Sequence, residues 1–230
     1  MFNYIPIATA LFSAFFFVEL YQHWRKHPQS LHILWWTVGI FFYGAGTVTE
    51  SIHALIGYYP LNFRLWYILG AIMGAAPLAQ GTVYLLLKRR TAHVLSAVLL
   101  AVMMIASVSV MLSPLKPISE TNGRLGGKLL EWTFIRGITP FLNIYAFIFL
   151  VGGAIYSAIQ YYKTVIDKTK FWGNVLIAIG GLLPGIGGAA SKFGHIQVLY
   201  VTEFIGICLI HAGYQKMKES NAPSIHINQQ

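Results

Sequence analysis

Seven apolar segments, each long enough to cross a lipid bilayer as a helix, follow one another through most of the 230-residue chain. A membrane-spanning helix needs about 20 predominantly apolar residues. An open-ended segment crosses the bilayer only as a helix, because its backbone amides find no water there. We therefore predict an all-α membrane protein with seven transmembrane helices, at residues 4–22, 32–57, 65–87, 92–113, 139–162, 172–191 and 197–215.

The composition indicates that lipid, rather than water, surrounds most of this chain. Asp, Glu, Lys and Arg make up 10% of the residues, whereas soluble domains average about 25%. A soluble fold of this length could not cover its surface with so few charges. The net charge of +9 is spread in short runs between the apolar segments, which argues against a nucleic-acid partner. We assign residues 1–218 to one transmembrane domain and expect residues 219–230 to form a disordered cytoplasmic tail.

The distribution of positive charge predicts how the chain is oriented in the membrane. Cytoplasmic loops carry an excess of Lys and Arg. Six of these residues lie on the side that includes the long loop at 114–138. Ten lie in the other loops and after the seventh segment, at Arg25, Lys26, Lys88, Arg89, Arg90, Lys163, Lys168, Lys170, Lys216 and Lys218. We therefore predict a multi-pass plasma-membrane protein with its N-terminus outside and its C-terminus inside. Because no basic residue precedes the first segment, we expect that segment to be retained rather than cleaved as a signal peptide.

The second and sixth segments share the glycine spacing G-x4-G-x-G, which indicates an internal repeat. The glycines are Gly39, Gly44 and Gly46 in one segment and Gly180, Gly185 and Gly187 in the other, displaced by 141 residues (180 − 39). This displacement predicts two parallel three-helix units joined by the fourth helix, a 3+1+3 layout of a kind found in membrane transporters. Small residues let helices pack closely, and Pro184 adds a candidate kink or hinge to the sixth segment.

The same glycine-rich stretch contains a near-match to a dinucleotide-binding fingerprint. Residues 185–190 read G-x-G-x-x-A, and Lys192 follows. Such a fingerprint requires a preceding strand within a βαβ unit. Here the glycines lie inside an apolar segment that is predicted to be a helix, so we interpret them as packing residues.

Ionisable residues within membrane helices are costly and are therefore candidates for function. Three acids fall in the predicted helices, and each has a histidine in helical register on its own segment. We expect the outer half of the bundle to hold a small polar or ionic ligand at Glu50, His53, Arg64, Gln80, Lys192 and Glu203. Glu19 and His211, in the inner half, are candidates for a proton relay, because histidine titrates near neutral pH. The alternatives are that the charges near the interface snorkel to water, or that Glu203 pairs with Arg64 or Lys192 and only fixes helix packing.

The sequence gives little support for catalysis or for a bound cofactor. The Glu50-x-x-His53 spacing resembles one element of a dimetal bundle, but the second copy that such a site needs is absent, and we predict no metal site. The motifs G-x-S-x-G and H-E-x-x-H are also absent. A membrane enzyme acting on lipids is therefore the least favoured class, and the identity of any cofactor stays open.

Two stretches carry a resemblance to known membrane proteins. The run WWTVGIFFYGAGTVTESIHALIGYYPLNFRLWYILGAIMGAAPLAQGTVYLL and the stretch GNVLIAIGGLLPGIGGAASKFG resemble uncharacterised bacterial seven-helix membrane proteins. This resemblance implies the seven-helix fold and no particular function. The 3+1+3 layout is similar to that of the small sugar transporters with paired three-helix bundles, and fold analogy alone is a weak basis for function.

Two classes of function follow from these observations. The first is a small-solute or ion transporter, or a related binding protein, with a polar pocket between the two three-helix units. The second is a non-catalytic membrane sensor or assembly subunit that acts through a membrane protein partner.

Overall fold

Seven long helices make up most of the described part of the protein, as the apolar segments predict. A computed structural model describes residues 2–118, 126–165 and 167–220. Within these residues, seven helices are long and apolar enough to span a membrane: α1 (Phe2–Lys26), α2 (Leu31–Ile56), α3 (Pro60–Leu86), α4 (Arg89–Leu112), α5 (Thr133–Lys163), α6 (Lys168–Lys192) and α7 (Ile196–Ser220). The prediction of an all-α, seven-helix membrane protein is confirmed at this level.

Most helices extend a few residues beyond the predicted apolar segments. The largest difference is at α5, which begins at Thr133 rather than at residue 139. Ile135 is fully buried against the cluster that contains Phe63 and Leu129, so tertiary packing extends this helix to include Arg136 and Gly137. Helix α7 continues to Ser220, so residues 219 and 220 of the expected tail are helical, and residues 221–230 lie outside the described part of the chain.

Six of the helices pack in a closed ring in the order α1, α2, α3, α5, α6, α7, with α4 on the outside against α3 and α5. The interior of the ring is apolar over much of its depth. Its core includes Phe16 and Leu20 from α1, Ile40 from α2, Leu78 from α3 and Leu150 from α5, and α7 contributes Ile207 and Ile210.

Helix α3 is not continuous. An α-helical turn at Pro60–Trp66 leads into a π-helical turn at Tyr67–Ile72, and regular α-helix resumes at Ala76–Leu86. Pro77 explains the break, because it lacks a backbone N–H and its ring clashes with the preceding turn. Non-helical backbone at membrane depth is tolerated where protein covers it, and here the π-helical turn packs against α2.

Glycines allow helices to approach each other closely at several points. A Cβ at Gly180 would lie 2.6 Å from the carbonyl oxygen of Gly206, and a Cβ at Gly206 would lie 2.8 Å from that of Gly180. The predicted packing glycines Gly39, Gly44, Gly46 and Gly187 also face neighbouring helices, at Leu78, Ser13, Gly70 and Leu199 respectively. Gly185 differs, because a Cβ there would meet no atom within 4 Å. Helix α6 continues through Pro184 without interruption.

This contrast predicts opposite effects for one substitution at two positions of α6. Gly180→Ala is expected to lower the stability by about 1–3 kcal/mol, because the new methyl group overlaps the α7 backbone and forces the helices apart. Gly185→Ala is the matched control, and we expect it to be neutral or to stabilise by up to about 1 kcal/mol through helix propensity. Thermal unfolding in detergent, followed by circular dichroism, measures both. Equal melting temperatures for the two variants would contradict the close packing of α6 on α7.

Candidate functional site

Glu50 of α2 and Glu203 of α7 lie side by side, with their carboxyl groups within hydrogen-bonding range of each other. At a rise of 1.5 Å per residue, both lie about 10 Å inside the ends of their helices. Glu50 is 5% exposed. Its Oε1 accepts a hydrogen bond of 2.9 Å from the indole N–H of Trp66. Oε2 of each carboxyl group is buried without a donor among the described residues. We call these two residues the carboxyl pair.

Aromatic side chains surround the carboxyl pair. The Tyr43 hydroxyl donates a hydrogen bond of 2.9 Å to the backbone carbonyl of Glu203, which fixes α2 against α7. Tyr43 and Tyr200 both lie close enough to interact electrostatically with the two carboxyl groups. With Trp66, three aromatic side chains thus lie near the pair.

The carboxyl pair has no cationic partner within the described residues. The ion pairs found there are formed by Glu19 and Asp167. The Arg64 guanidinium instead donates to the backbone carbonyls of Val110 and Met111, at 2.7 Å for the latter, where α4 leaves its last carbonyls without helical partners. The expected alternative, an ion pair of Glu203 with Arg64 or Lys192, is therefore not found.

Among the described residues, no hydrogen bond or ion pair joins the carboxyl pair to the other residues of the predicted outer pocket. Lys192 is exposed at the end of α6, and the buried Nδ1 of His53 has no hydrogen-bond partner among the described residues. Gln80 is fully buried, but its amide nitrogen donates to the Ala92 carbonyl and the Ser96 hydroxyl, and its oxygen accepts from Tyr145. Because both amide atoms have protein partners, Gln80 connects α3, α4 and α5 rather than facing a ligand.

The two candidates for a proton relay are in direct contact near the opposite end of the bundle. Oε2 of Glu19 on α1 lies 2.9 Å from Nε2 of His211 on α7. The same carboxylate accepts hydrogen bonds from Gln215 at 2.7 Å and from Lys218 at 3.0 Å. We call these four residues the Glu19 network. It connects α1 to α7 and has solvent access through Lys218, whose side chain is 51% exposed.

An apolar layer separates the carboxyl pair from the Glu19 network. Glu203 and His211 are eight residues apart on α7, or about 12 Å along the helix axis. The ring of Phe12 packs against both Phe204 and His211, with centroids 6.4 Å and 5.3 Å apart. Ile207, which lies between the two sites on α7, is fully buried.

Within the described part of the chain, no three His, Cys, Asp or Glu residues cluster in a way that would hold a metal ion. The chain matches no family model, no curated protein and no solved structure. A functional interpretation therefore depends on the chemistry of the two polar sites.

Proposed function

We propose that this protein is a small-solute or ion transporter, or a related binding protein, and that the carboxyl pair takes up a positively charged ligand. The observation that carries this proposal is that two carboxyl groups lie side by side in membrane-spanning helices, without a described cation. Glu50 is buried, and Glu203 is half-buried with its Oε2 out of contact with solvent. Two carboxylates so close together repel each other, and neither can be left charged in the bilayer at low cost. A proton or a cationic solute between them removes both penalties.

The position of the carboxyl pair agrees with a transport site between two halves of the bundle. Helix α2 belongs to the first predicted three-helix unit and α7 to the second, so the proposed 3+1+3 repeat puts one carboxyl group on each unit. Gly39 and Gly46 in α2, and their counterparts Gly180 and Gly187 in α6, all face neighbouring helices closely. Helix α4, which lies outside the ring, corresponds to the single helix that joins the two three-helix units. Movement of one unit against the other would separate or reunite the carboxyl groups.

The proposed orientation places the carboxyl pair nearer the outside and the Glu19 network nearer the cytoplasm of the plasma membrane. This follows from the excess of Lys and Arg at the end of the bundle where α1, α3 and α5 terminate. A ligand that reaches the carboxyl pair from outside would pass the apolar layer at Phe12 and Phe204 before it reaches Glu19. Alternating access would require this layer to open towards the cytoplasm while the outer side closes around the carboxyl pair.

The proposal is tested with the full chain in proteoliposomes that contain a pH-sensitive dye. An imposed pH gradient or membrane potential is expected to drive proton flux, or a counter-flux of protons when a cation from a panel is added. Dicyclohexylcarbodiimide, which reacts with protonated carboxyl groups in apolar surroundings, is expected to label the carboxyl pair and stop the flux. Labelling without flux of any ion would favour the sensor or subunit class. The absence of both labelling and flux would contradict the proposal.

A further inference from the structure

An open crevice of about 170 Å³ lies at the end of the bundle where the short α1–α2 and α3–α4 connections meet. It is lined by Gln29, Leu31, His32, Tyr84, Leu87 and Arg89. These residues include four side chains with hydrogen-bonding groups and no acid. The crevice is far from the carboxyl pair along α2, because His32 and Glu50 are 18 residues, or about 27 Å, apart. It is therefore a separate feature of the molecule.

The charge around the crevice is positive and is not neutralised within the described residues. Arg89 is exposed and lies between two further exposed cations, Lys88 and Arg90. None of the three takes part in an ion pair among the described residues. Glu19 and Asp167, at the same end of the bundle, are paired with other cations. No acid is among the residues that line the crevice, so an anion entering it would meet Arg89 directly.

The polar wall of the crevice is held in place by the protein. The Tyr84 hydroxyl accepts a hydrogen bond of 2.9 Å from Ser96 and lies 2.9 Å from Nδ1 of His93. The ring of His32 packs edge-on against Trp36, with centroids 5.5 Å apart. Both side chains are thus oriented before any ligand arrives, which reduces the entropy cost of binding.

An exposed apolar stripe continues from the crevice into the membrane. Arg89 and His93 on α4 are followed, at intervals of three or four residues, by Ala97, Leu100 and Met104, and this spacing keeps residues on one face of a helix. Leu100 is 49% exposed and Met104 is 64% exposed. The polar crevice and the apolar stripe together match a molecule with an anionic head and a hydrocarbon chain.

We propose that the crevice binds the phosphate group of an anionic lipid, with Arg89 as the main contact and an acyl chain along the α4 stripe. Basic pockets between transmembrane helices are known to recognise anionic headgroups. The guanidinium of Arg89 suits a phosphate in particular, because its planar set of donors matches two phosphate oxygens. The Tyr84 hydroxyl and the Gln29 amide supply further hydrogen-bonding groups. This inference does not depend on the proposed transport function.

Native mass spectrometry of the full chain, titrated with lipids of identical acyl chains, tests the proposal. Phosphatidylglycerol is expected to bind more tightly than phosphatidylcholine, which carries the phosphate with a compensating positive charge. Arg89→Gln is expected to weaken phosphatidylglycerol binding about fivefold, as the loss of one interfacial arginine predicts. The matched control is Arg25→Gln, an exposed arginine at the same end of the bundle, and it should bind as the wild type does.

Three outcomes would overturn the proposal. Equal binding by Arg89→Gln and the wild type would remove the crevice from lipid recognition. An equal loss in the Arg25→Gln control would mean that diffuse positive charge, rather than a site, attracts the lipid. Displacement of phosphatidylglycerol by millimolar inorganic phosphate, with phosphate adducts that disappear in Arg89→Gln, would identify the ligand as a free anion instead of a lipid.

Discussion

Replacement of Glu203 by glutamine is expected to abolish carbodiimide labelling at position 203, to leave Glu50 as the one labelled member of the carboxyl pair, and to reduce cation-driven flux by about 10- to 100-fold. Hydrogen bonds to charged groups contribute about 1.5–3 kcal/mol, which corresponds to this range of affinity. Glutamine keeps the size of the side chain and its hydrogen-bonding capacity, so α7 can still pack against α2. What it removes is the second ionisable group. Glu50 would then have an amide rather than a carboxyl group beside it, and the site could no longer exchange a positive charge between two carboxylates.

Glu131→Gln is the matched control for this prediction, because Glu131 is exposed in the connection before α5. It should label and transport as the wild type does. Trp66→Phe is a milder variant, because it retains both acids and removes only the 2.9 Å indole hydrogen bond to Glu50. It is expected to change the rate of carbodiimide labelling without abolishing flux. Wild-type flux in Glu203→Gln, with normal expression and melting temperature, would assign the carboxyl pair a structural role.

The seven helices could be predicted from the sequence because their cause is local. Each apolar segment must satisfy its own backbone hydrogen bonds in the membrane, and this requirement does not depend on the neighbouring helices. The positions of the helix ends depend less on the local sequence. Ile135 is buried by a cluster that includes Phe63 of α3, so the start of α5 depends on residues about 70 positions earlier in the chain.

The pairing of Glu50 with Glu203 could not be predicted in the same way. Each acid is recognisable as an intramembrane charge, but the direction in which it points depends on how its helix is rotated. That rotation depends on contacts such as Gly180 against Gly206, which bring α7 onto α6. The partners of Arg64 were unpredictable for a similar reason. They are backbone carbonyls at the end of α4, and the identity of the side chains in the sequence does not reveal them.

A signal for Trp66 was present in the sequence. Glu50 lies six residues before the end of α2 at Ile56, and Trp66 lies six residues after the start of α3 at Pro60. Residues equally distant from a short turn lie at equal depth in an antiparallel helix pair. The indole N–H of Trp66 is therefore predicted to lie at the depth of Glu50, where it can donate a hydrogen bond to the acid. The equal distances of the two residues from the turn were the sequence signal for this contact.

Replacement of Glu19 by glutamine is expected to reduce transport without changing the carboxyl pair. The carboxyl pair would remain intact, so carbodiimide labelling at Glu50 and Glu203 should stay at the wild-type level. Proton flux should fall roughly tenfold, which is less than the usual contribution of a positioned proton-transfer group, because solvent also reaches this end of the bundle. The physical reason is that a proton leaving the pair along α7 must cross the layer at Phe12 and Phe204, and Glu19 with His211 is the first ionisable site beyond it.

Lys218→Gln provides the control for the Glu19 variant, because it removes an exposed partner and leaves the 2.9 Å contact between Glu19 and His211. It should retain most of the flux, since an ion pair with an exposed lysine contributes only about 0–1 kcal/mol. If Glu19→Gln transports at the wild-type rate, the Glu19 network serves only to hold α1 against α7. If it loses labelling as well as flux, the two sites are not separable, and the apolar layer between them does not act as a barrier.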